Sequence, residues 1–364
     1  MQLLFDLGWE PFFSQQLDEA ADAGAIAARI VMEQKNIYRL AGESGEFPAV
    51  LSGRLRHDGP ARVGRPAVGD WVLAAHSTDE GPAVIQRILE RKSVIARDRA
   101  DSNRWRAGDP ERQVLAANVD TVFIVESLTG AFSLNRIERY LTLIHDGGAW
   151  PVILLTKADL VEDIGPLLAE SARRLPMVAA VPVSGLTGQG IDRLPEYLGP
   201  GRTAVLLGPS GAGKSTIINR LLGAGLQATA PIRAADDKGR HTTTARQMFR
   251  LPDGGLVIDT PGLRAVGLPD DESGLRIAFE DIRRLAEECR FRDCRHVSEP
   301  GCAVRRAVED GLLDRDRYEN YLTLQHEADS RRLRGDPDAL KKEHRRMARM
   351  IAEVKNTDKR KFGP

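Results

Sequence analysis

Hydrophobic and polar positions follow different patterns in successive parts of this 364-residue chain, which is long for a single core. Residues 36–108 contain short apolar segments separated by turns rich in Gly, Pro, Asp and Ser, which is typical of an all-β domain. Residues 109–275 alternate short apolar runs with segments of helical spacing, as parallel α/β domains do. Helical spacing continues over residues 276–330, and residues 331–364 are strongly polar. The chain therefore predicts a multidomain protein with β, α/β and α-helical parts.

The N-terminal part predicts a helix followed by a barrel. Gln15–Glu33 combines alanine and acidic residues with sparse apolar positions, which predicts a helical extension over residues 1–35. Four strand-like segments follow it: Tyr38–Leu40, Ala49–Leu55, Asp70–Ala75 and Ala83–Leu89. Their close spacing predicts an OB-type β-barrel over residues 36–108, and a fragment of a β-sandwich is the alternative.

Basic residues accompany the predicted barrel and indicate either an RNA-binding face or an ordinary solvated surface. They are Arg54, Arg56, Arg62, Arg65, Arg87, Arg91 and Lys92. The segment Arg97–Arg112 adds further arginines among Asp and Gly, and we interpret it as a mobile basic linker.

The α/β part begins near Asp120. Its predicted strands are Thr121–Val125, Val152–Leu155, Val178–Val183, Ala204–Leu207, Gln247–Leu251 and Leu256–Ile258. Helices are predicted over Leu134–His145, Ile164–Leu175 and Ile191–Leu198, and again after Gly213. The alternation predicts a parallel sheet covered by helices.

The loop that follows Ala204–Leu207 has the spacing of a P-loop. It consists of Gly208, Pro209, Ser210, Gly211, Ala212, Gly213, Lys214, Ser215 and Thr216. Glycines allow several backbone N–H groups to face one concavity, and the helix that opens there adds the positive end of its dipole. Lys214 can reach the β- and γ-phosphates of a nucleotide, and the Ser215 hydroxyl can ligate Mg²⁺. A strand, a glycine loop and a helix in this order predict a polyphosphate site.

Three further polar loops end other predicted strands. Thr156, Lys157, Ala158 and Asp159 resemble the Asn-Lys-x-Asp element of GTPases, in which the carboxylate accepts the N1 and N2 protons of guanine. Ser184 and Gly185 match the loop that contacts the guanine O6 in that superfamily. Asp259, Thr260, Pro261 and Gly262 supply a carboxylate for the magnesium shell and an N–H for the γ-phosphate. Ligands bind at the carboxyl ends of strands in open α/β sheets, so we expect the four loops to form one site.

The base-reading loops precede the phosphate loop, which reverses the order of an ordinary GTPase and indicates a circular permutation. Together with a preceding barrel and a following cysteine cluster, this order resembles the ribosome small-subunit-dependent GTPase family over residues 36–330. Residues 239–244, Gly-Arg-His-Thr-Thr-Thr, resemble the first switch of that family. Thr156 departs from the family pattern, which usually has Asn there, and a hydroxyl replaces only part of what an amide bridges.

The resemblance implies GTP or GDP and Mg²⁺ as cofactors, GTP hydrolysis stimulated by the small ribosomal subunit, and contact with its rRNA. Leu263 follows Asp259–Gly262, so no Gln stands there to hold the attacking water, and intrinsic hydrolysis should be slow. His241 is the candidate for orienting that water, and packing or RNA contact is its equal alternative. One of the three switch threonines, Thr242, Thr243 or Thr244, is expected to ligate Mg²⁺ through its hydroxyl, and Thr243 is the candidate.

The three cysteines lie in one short segment with a histidine: Cys289, Cys294, His296 and Cys302. Three thiolates and an imidazole are the ligand set of a closed structural zinc site. Iron–sulfur ligation and a cluster of buried thiols are the alternatives. Arg290, Arg292, Arg295 and Arg305 surround the ligands and indicate RNA contact.

Cys302–Leu313 and Tyr318–Glu327 predict helices, and Asp314–Arg317 between them is interpreted as a solvated charge cluster. Residues 331–364 predict a basic helix and tail that bind RNA or only aid solubility. The five predicted parts are thus 1–35 (helical extension), 36–108 (barrel), 109–275 (permuted GTPase domain), 276–330 (zinc-bound helical domain) and 331–364 (basic tail).

Formal charges sum to zero, with 52 basic and 52 acidic residues, and exclude neither an RNA partner nor a protein partner. Apolar runs are too short to span a membrane and the first residues lack a basic signal region, so we expect a cytoplasmic monomer. The first hypothesis is a subunit-stimulated GTPase in late subunit maturation. An RNA-binding assembly factor that uses nucleotide as a conformational ligand, and a P-loop ATPase or kinase, are the alternatives.

Overall fold

The computed structural model describes residues 2–18, 24–34, 37–57, 65–75, 81–98, 112–130, 132–223, 246–259 and 273–332. The chain forms two compact units. Unit 1 comprises residues 1–140 and 147–267, and unit 2 comprises residues 141–146 and 268–364. The thirteen strands of the described residues all belong to unit 1.

The first five strands of unit 1 form a closed barrel. They are β1 (Ile26–Gln34), β2 (Ile37–Gly42), β3 (Gly45–Leu51), β4 (Trp71–Ala75) and β5 (Ala83–Ile88). Neighbours around the barrel are β1, β2, β3, β5 and β4, and β4 pairs again with β1. Only the β3–β5 pair is parallel. This closed five-stranded order confirms the predicted OB-type barrel and excludes the sandwich fragment.

The helix predicted over Gln15–Glu33 is wrong, because its described residues 15–18 and 24–25 are not helical and strand β1 begins at Ile26. Alanine favours a helix, but Ala28 and Ile30 are buried between β2 and β4, and this pairing overrides the local preference. The barrel therefore includes residues that the sequence assigned to the extension. A short helix, Gly53–His57, also replaces the end of the strand predicted over Ala49–Leu55.

The N-terminal residues pack against the barrel. Two short helices, Gln2–Asp6 and Pro11–Ser14, precede β1. Trp9 meets Trp71 edge to face with ring centroids 4.8 Å apart, and Phe13 lies 5.8 Å from the same ring. Since Trp71 and Phe13 are fully buried, these aromatic contacts attach the N-terminal segment to the barrel.

A buried arginine supports the same region. Arg29 of β1 donates hydrogen bonds to the carbonyl oxygens of Leu7, Gly69 and Asn118. Burial lowers its pKa to about 10, and the nearby carboxylates of Asp120, Asp70 and Glu10 oppose that change. The guanidinium remains charged at neutral pH and joins three separate segments of unit 1.

Part of the basic surface predicted for the barrel is engaged within the protein. Arg91 forms an ion pair with the buried Asp70 at 2.7 Å, and Arg87 donates to the Gln16 carbonyl oxygen at 2.9 Å. Lys92 forms an ion pair with Glu10. Arg54 and Arg56 are exposed. Arg62 lies outside the described residues.

Two strands flank the predicted basic linker. β6 (Val94–Asp98) and β7 (Arg112–Ala117) form an antiparallel pair in which Asp98 lies opposite Arg112. Both ends of the predicted linker are thus strand residues, and residues 99–111 lie outside the described ranges.

The α/β sheet of unit 1 is built from six strands. They are β8 (Thr121–Ser127), β9 (Trp150–Thr156), β10 (Ala179–Val183), β11 (Thr203–Leu207), β12 (Arg246–Arg250) and β13 (Leu256–Asp259). Their order is β10-β9-β8-β11-β13-β12, with β12 antiparallel to the other five. Central strands that are apolar on both faces, such as Val122–Val125, are typical of a sheet covered on both sides.

Three α-helices lie between strands of this sheet in the chain: Leu134–Asp146 follows β8, Gly165–Arg174 follows β9, and Lys214–Leu222 follows β11. The helix predicted over Ile191–Leu198 is a 3₁₀ helix over Ile191–Tyr197, which contains Pro195. A second 3₁₀ turn covers Ala158–Leu160.

Strand β12 joins the α/β sheet to the barrel. Gln247 lies opposite Met32, and Arg246 lies opposite Glu33 of β1. Arg246 and Glu33 also form an ion pair at 2.8 Å, in which both side chains are mostly buried. The barrel and the α/β sheet therefore share a continuous set of hydrogen-bonded strands within unit 1.

Unit 2 is helical in its described residues. Its helices are Ser273–Ala278, Glu280–Ala286, Ala303–Glu309 and Arg315–Arg332. Phe279, Ile282, Val304 and Leu324 are fully buried in its core. None of the described helices has the length and apolar content needed to cross a bilayer.

The interpretation of Asp314–Arg317 as a solvated charge cluster is wrong for its last residue. Arg317 is only 6% exposed. Its guanidinium forms an ion pair with Asp281 at 2.7 Å and lies 4.6 Å from the centre of the Phe279 ring. Arg317 therefore joins the first turn of its helix to the core of unit 2.

Candidate nucleotide site and metal centre

The predicted base-reading and phosphate loops lie at one edge of the sheet. Strands β9, β10, β11 and β13 are parallel, and the loops in question follow the carboxyl ends of the first three. Asp259 is the last residue of β13, beside β11. The sheet thus brings together segments that are up to about 100 residues apart in the chain.

The P-loop residues connect β11 to helix Lys214–Leu222. Gly208 has a positive φ of 155°, and a Cβ atom there would lie 2.2 Å from the Val125 carbonyl oxygen. Gly213 precedes the helix with a φ of 95° in the left-handed region. Both positions therefore require glycine, for close approach in the first case and for backbone conformation in the second. Pro209 is half-buried, Ala212 is buried, and Ser210 and Gly211 are exposed.

Lys214 lies in the first turn of this helix and folds over the loop. Its Nζ atom donates to the carbonyl oxygens of Gly208 at 2.8 Å and Pro209 at 2.7 Å. Ser215 beside it is half-buried, and Thr216 is exposed. The ammonium group therefore lies against the loop backbone, whose N–H groups bind phosphate oxygens in proteins with this motif.

Thr156, at the end of β9, is bonded directly to the P-loop. Its hydroxyl lies 2.6 Å from the Ala212 carbonyl oxygen and 3.2 Å from that of Glu126. The side chain is 2% exposed. Lys157 follows in the left-handed region at φ 59°, after which Ala158 is buried and Asp159 is exposed. The 3₁₀ turn after Thr156 thus carries an exposed carboxylate three residues beyond the side chain that bonds to the P-loop.

Gly185, which follows Ser184 after β10, lies against Thr216 in the first turn of the P-loop helix. Ser184 is buried, and its hydroxyl accepts the backbone N–H of Thr187 at 3.0 Å. A Cβ atom on Gly185 would lie 2.9 Å from the Thr216 Cγ2 atom. A larger residue at position 185 would force the two segments apart, because 2.9 Å is shorter than any ordinary carbon–carbon contact.

Several predicted site residues lie outside the described residues. They are His241, Thr242, Thr243, Thr244, Thr260, Pro261 and Gly262. Their roles remain predictions.

The predicted metal ligands come together in unit 2. One ligand atom from each of Cys289, Cys294, His296 and Cys302 falls within a cluster whose atoms all lie within 4.8 Å of one another. The Cys289 and Cys302 sulfurs are 3.9 Å apart, and each is 3.6 Å from His296 Nδ1. Thiolates around a tetrahedral zinc at about 2.3 Å lie about 3.8 Å from each other, so these positions fit the ion.

Burial shifts the pKa values of three of these ligands. It raises the pKa of the Cys302 thiol and of Cys294, the latter to about 12, and it lowers the pKa of His296. Without a cation the cluster therefore favours neutral groups, and a bound metal provides the charge that stabilises thiolates. Because four protein ligands fill a tetrahedral shell, the site is structural.

Two residues that the sequence did not single out hold the metal loop. The Glu299 carboxylate accepts the backbone N–H groups of Arg295 at 3.1 Å and Val297 at 3.0 Å. Burial alone would raise the pKa of Glu299, and the accepted backbone N–H groups outweigh it and lower that pKa. The Tyr318 hydroxyl donates to the His296 carbonyl oxygen at 2.6 Å, and His296 itself has a positive φ of 63°. The Glu-Pro-Gly turn at 299–301 was the only local signal for this arrangement.

The strand order, the P-loop and the reversed order of its partner loops define a circularly permuted P-loop domain preceded by an OB-type barrel. A family model described as "RsgA GTPase" matches residues 88–269. The "Small ribosomal subunit biogenesis GTPase RsgA" of Opitutus terrae is 45% identical over 344 residues, with 92% of each chain covered. A protein of Vibrio parahaemolyticus named "Small ribosomal subunit biogenesis GTPase RsgA 2" is 42% identical, over 89% of this chain and 85% of that protein.

Solved structures agree in fold. YjeQ from Thermotoga maritima is 28% identical, has a TM-score of 0.61, and matches 84% of this chain and 98% of its own. YloQ, described as a circularly permuted GTPase, is 24% identical with a TM-score of 0.60 over 86% of this chain and 99% of its own. This chain belongs to the RsgA GTPase family. The predicted family resemblance and fold class are thereby confirmed.

The family implies GTP or GDP and Mg²⁺ as cofactors, and the Cys₃His cluster adds a structural zinc. These are the cofactors that the motifs predicted.

Proposed function

We propose that this chain hydrolyses GTP in the late maturation of the small ribosomal subunit, and that the subunit stimulates the reaction through rRNA contact. The observation that carries the proposal is the Thr156–Ala212 hydrogen bond, which joins a base-reading loop to the phosphate loop in the permuted order. Relatives that match most of the chain are named for small-subunit biogenesis and for GTPase activity.

We assign the phosphate end of the site to the P-loop. Its backbone N–H groups and Lys214 bind the β- and γ-phosphates, and Ser215 and Thr243 ligate Mg²⁺ through their hydroxyls. Asp259 holds a water of the magnesium shell, and Gly262 donates an N–H to the γ-phosphate. Support comes from Asp259, which lies beside β11 at the edge where the P-loop begins.

We assign the base end to the segments that follow β9 and β10. Asp159 accepts the N1 and N2 protons of guanine, which adenine lacks, and the Lys157 stem covers the ring. The backbone of Ser184 and Gly185 contacts O6. The exposure of Asp159 and the close packing of Gly185 on Thr216 support this placement.

The five parts predicted from the sequence are proposed here with the barrel extended to Ile26. We propose that the barrel, the zinc-bound helices and the basic tail contact rRNA, and that the protein acts as a cytoplasmic monomer. GTP orders the switch residues, the flanking parts bind the subunit, and hydrolysis releases the factor.

Turnover with and without small subunits tests the proposal. We expect GTP hydrolysis to be slow alone and to rise at least tenfold with small subunits, and ATP hydrolysis to stay at background. Raising the salt from 50 to 200 mM should weaken the stimulation by about tenfold or more, because basic side chains that neutralise RNA phosphates release counterions. Large subunits serve as the matched control. Binding of GTP without stimulated phosphate release would favour the conformational-ligand alternative, and competition by ATP would favour the ATPase alternative.

The role of His241 has its own test. We expect His241→Ala to leave the affinity for GDP unchanged and to lower subunit-stimulated turnover by about 100-fold or more, because a positioned proton-transfer group contributes roughly 100- to 10,000-fold. His241→Gln, which keeps a hydrogen-bond donor and acceptor, should retain more activity. If GDP affinity falls with the alanine variant, the water-orienting role is wrong.

A further inference from the structure

The Thr156 side chain has a single hydroxyl proton to donate, and in the structure that proton is already in a hydrogen bond. The Thr156 hydroxyl has two carbonyl neighbours, at 2.6 Å on Ala212 and at 3.2 Å on Glu126. Carbonyl oxygens only accept hydrogen bonds, so the hydroxyl must donate, and the shorter contact identifies Ala212 as its acceptor. Because the residue is 2% exposed, solvent does not compete for this proton.

Guanine presents different chemistry on its two edges. Its Watson–Crick edge carries the N1 and N2 protons, whereas its N7 and O6 atoms accept hydrogen bonds. When the Thr156 hydroxyl donates its proton to the Ala212 carbonyl oxygen, the hydroxyl oxygen has only lone pairs left to offer. Two lone pairs cannot form a hydrogen bond with each other, so this oxygen cannot bond to N7. An asparagine amide carries two protons, enough to serve Ala212 and N7 at the same time.

We propose that Thr156 makes no hydrogen bond to the guanine N7 atom, because it donates its one hydroxyl proton to the P-loop, and that guanine nucleotides bind without this contact. The inference rests on the proposed nucleotide site and adds which atoms of the base are recognised. Recognition of the base then depends on the N1, N2 and O6 positions, so nucleotides altered only at N7 remain ligands.

Affinities for GDP and 7-deaza-GDP measured by calorimetry on the full chain with Mg²⁺ test the inference. The analogue replaces N7 by a C–H group and leaves the rest of the base in place. We expect the two dissociation constants to agree within twofold for the natural chain. In Thr156→Asn the analogue should bind about three- to tenfold more weakly than GDP, the effect of one neutral hydrogen bond. Thr156→Ser, which keeps one hydroxyl proton, is the matched control and should again give a ratio near one.

The outcomes separate this inference from the function on which it rests. A fivefold or larger preference of the natural chain for GDP over 7-deaza-GDP overturns it, and so does a folded Asn variant whose ratio stays at one. If the Asn variant does not fold, the ratio for the natural chain alone decides. Absence of GDP binding would instead refute the proposed site. Asp159→Asn should shift preference from GDP to xanthosine diphosphate, because an amide can donate to the second carbonyl of xanthine, and this shift verifies that the base lies against residue 159.

Discussion

Lys214→Ala is expected to lose about a thousandfold in affinity for GTP and GDP. In the structure the ammonium group is bonded to the carbonyl oxygens of Gly208 and Pro209, within the loop that the motif assigns to phosphate oxygens. Charge-assisted hydrogen bonds contribute about 1.5–3 kcal/mol each, so two such bonds to phosphates amount to about 4 kcal/mol, which is a factor of roughly a thousand. Calorimetry with GDP and Mg²⁺ measures this loss.

Arg193→Ala is the matched control for the lysine variant. Arg193 is also basic, is exposed in the 3₁₀ helix Ile191–Tyr197, and belongs to none of the four predicted nucleotide loops. We expect its GDP affinity to stay within twofold of the natural chain. Thermal unfolding of both variants should remain close to that of the natural chain, since each change removes a side chain from a position that is not fully buried. A lysine variant that keeps its affinity within tenfold would contradict the phosphate-binding role.

Cys302→Ser is expected to abolish stoichiometric zinc binding and the cooperative unfolding of unit 2. The sulfur of Cys302 is 3.9 Å from that of Cys289 and also accepts the Arg305 backbone N–H at 3.5 Å, at the start of helix Ala303–Glu309. Structural zinc contributes about 10 kcal/mol or more to small zinc domains, which exceeds the stability of a helical unit of this size. Metal analysis of the purified chain and protease digestion of residues 268–332 measure both effects.

Ser298→Ala is the control for the cysteine variant. Ser298 is exposed in the same loop and offers no metal ligand. This variant should bind one zinc per chain and resist proteolysis like the natural chain. Removal of zinc from the natural chain with a strong chelator should reproduce the Cys302→Ser digestion pattern, and zinc should reverse it. A natural chain that is free of metal and equally resistant would refute the zinc assignment.

Much of the nucleotide site followed from the sequence because its motifs depend on local spacing. The P-loop combines a strand, glycines and a helix within a few residues, and the rule that parallel strands share an edge predicted that Thr156 and Ser184 would join it. The hydrogen bond from Thr156 to Ala212 agrees with that rule. The spacing could not show which group accepts the hydroxyl proton of Thr156, because that depends on the positions of the Ala212 and Glu126 carbonyl oxygens.

Features that depend on distant partners escaped prediction. Ala27 and Ala28 favour a helix locally, and only pairing with β2 and β4 makes Ile26–Gln34 a strand. Arg317 belongs to a run of alternating charges, and its burial against Phe279 requires the packing of two helices. Glu299 likewise bonds to backbone groups that the loop brings to it only after folding.

The β12–β1 pairing has a mechanical consequence. The chain leaves residues 239–244, where the first switch is predicted, and within two residues becomes the strand whose Arg246 holds Glu33 of the barrel. The same strand is paired on its other side with β13, which ends at Asp259. A rearrangement around the terminal phosphate that shifted Arg246 would therefore either break the β12–β1 pairing or displace β1 of the barrel along with it.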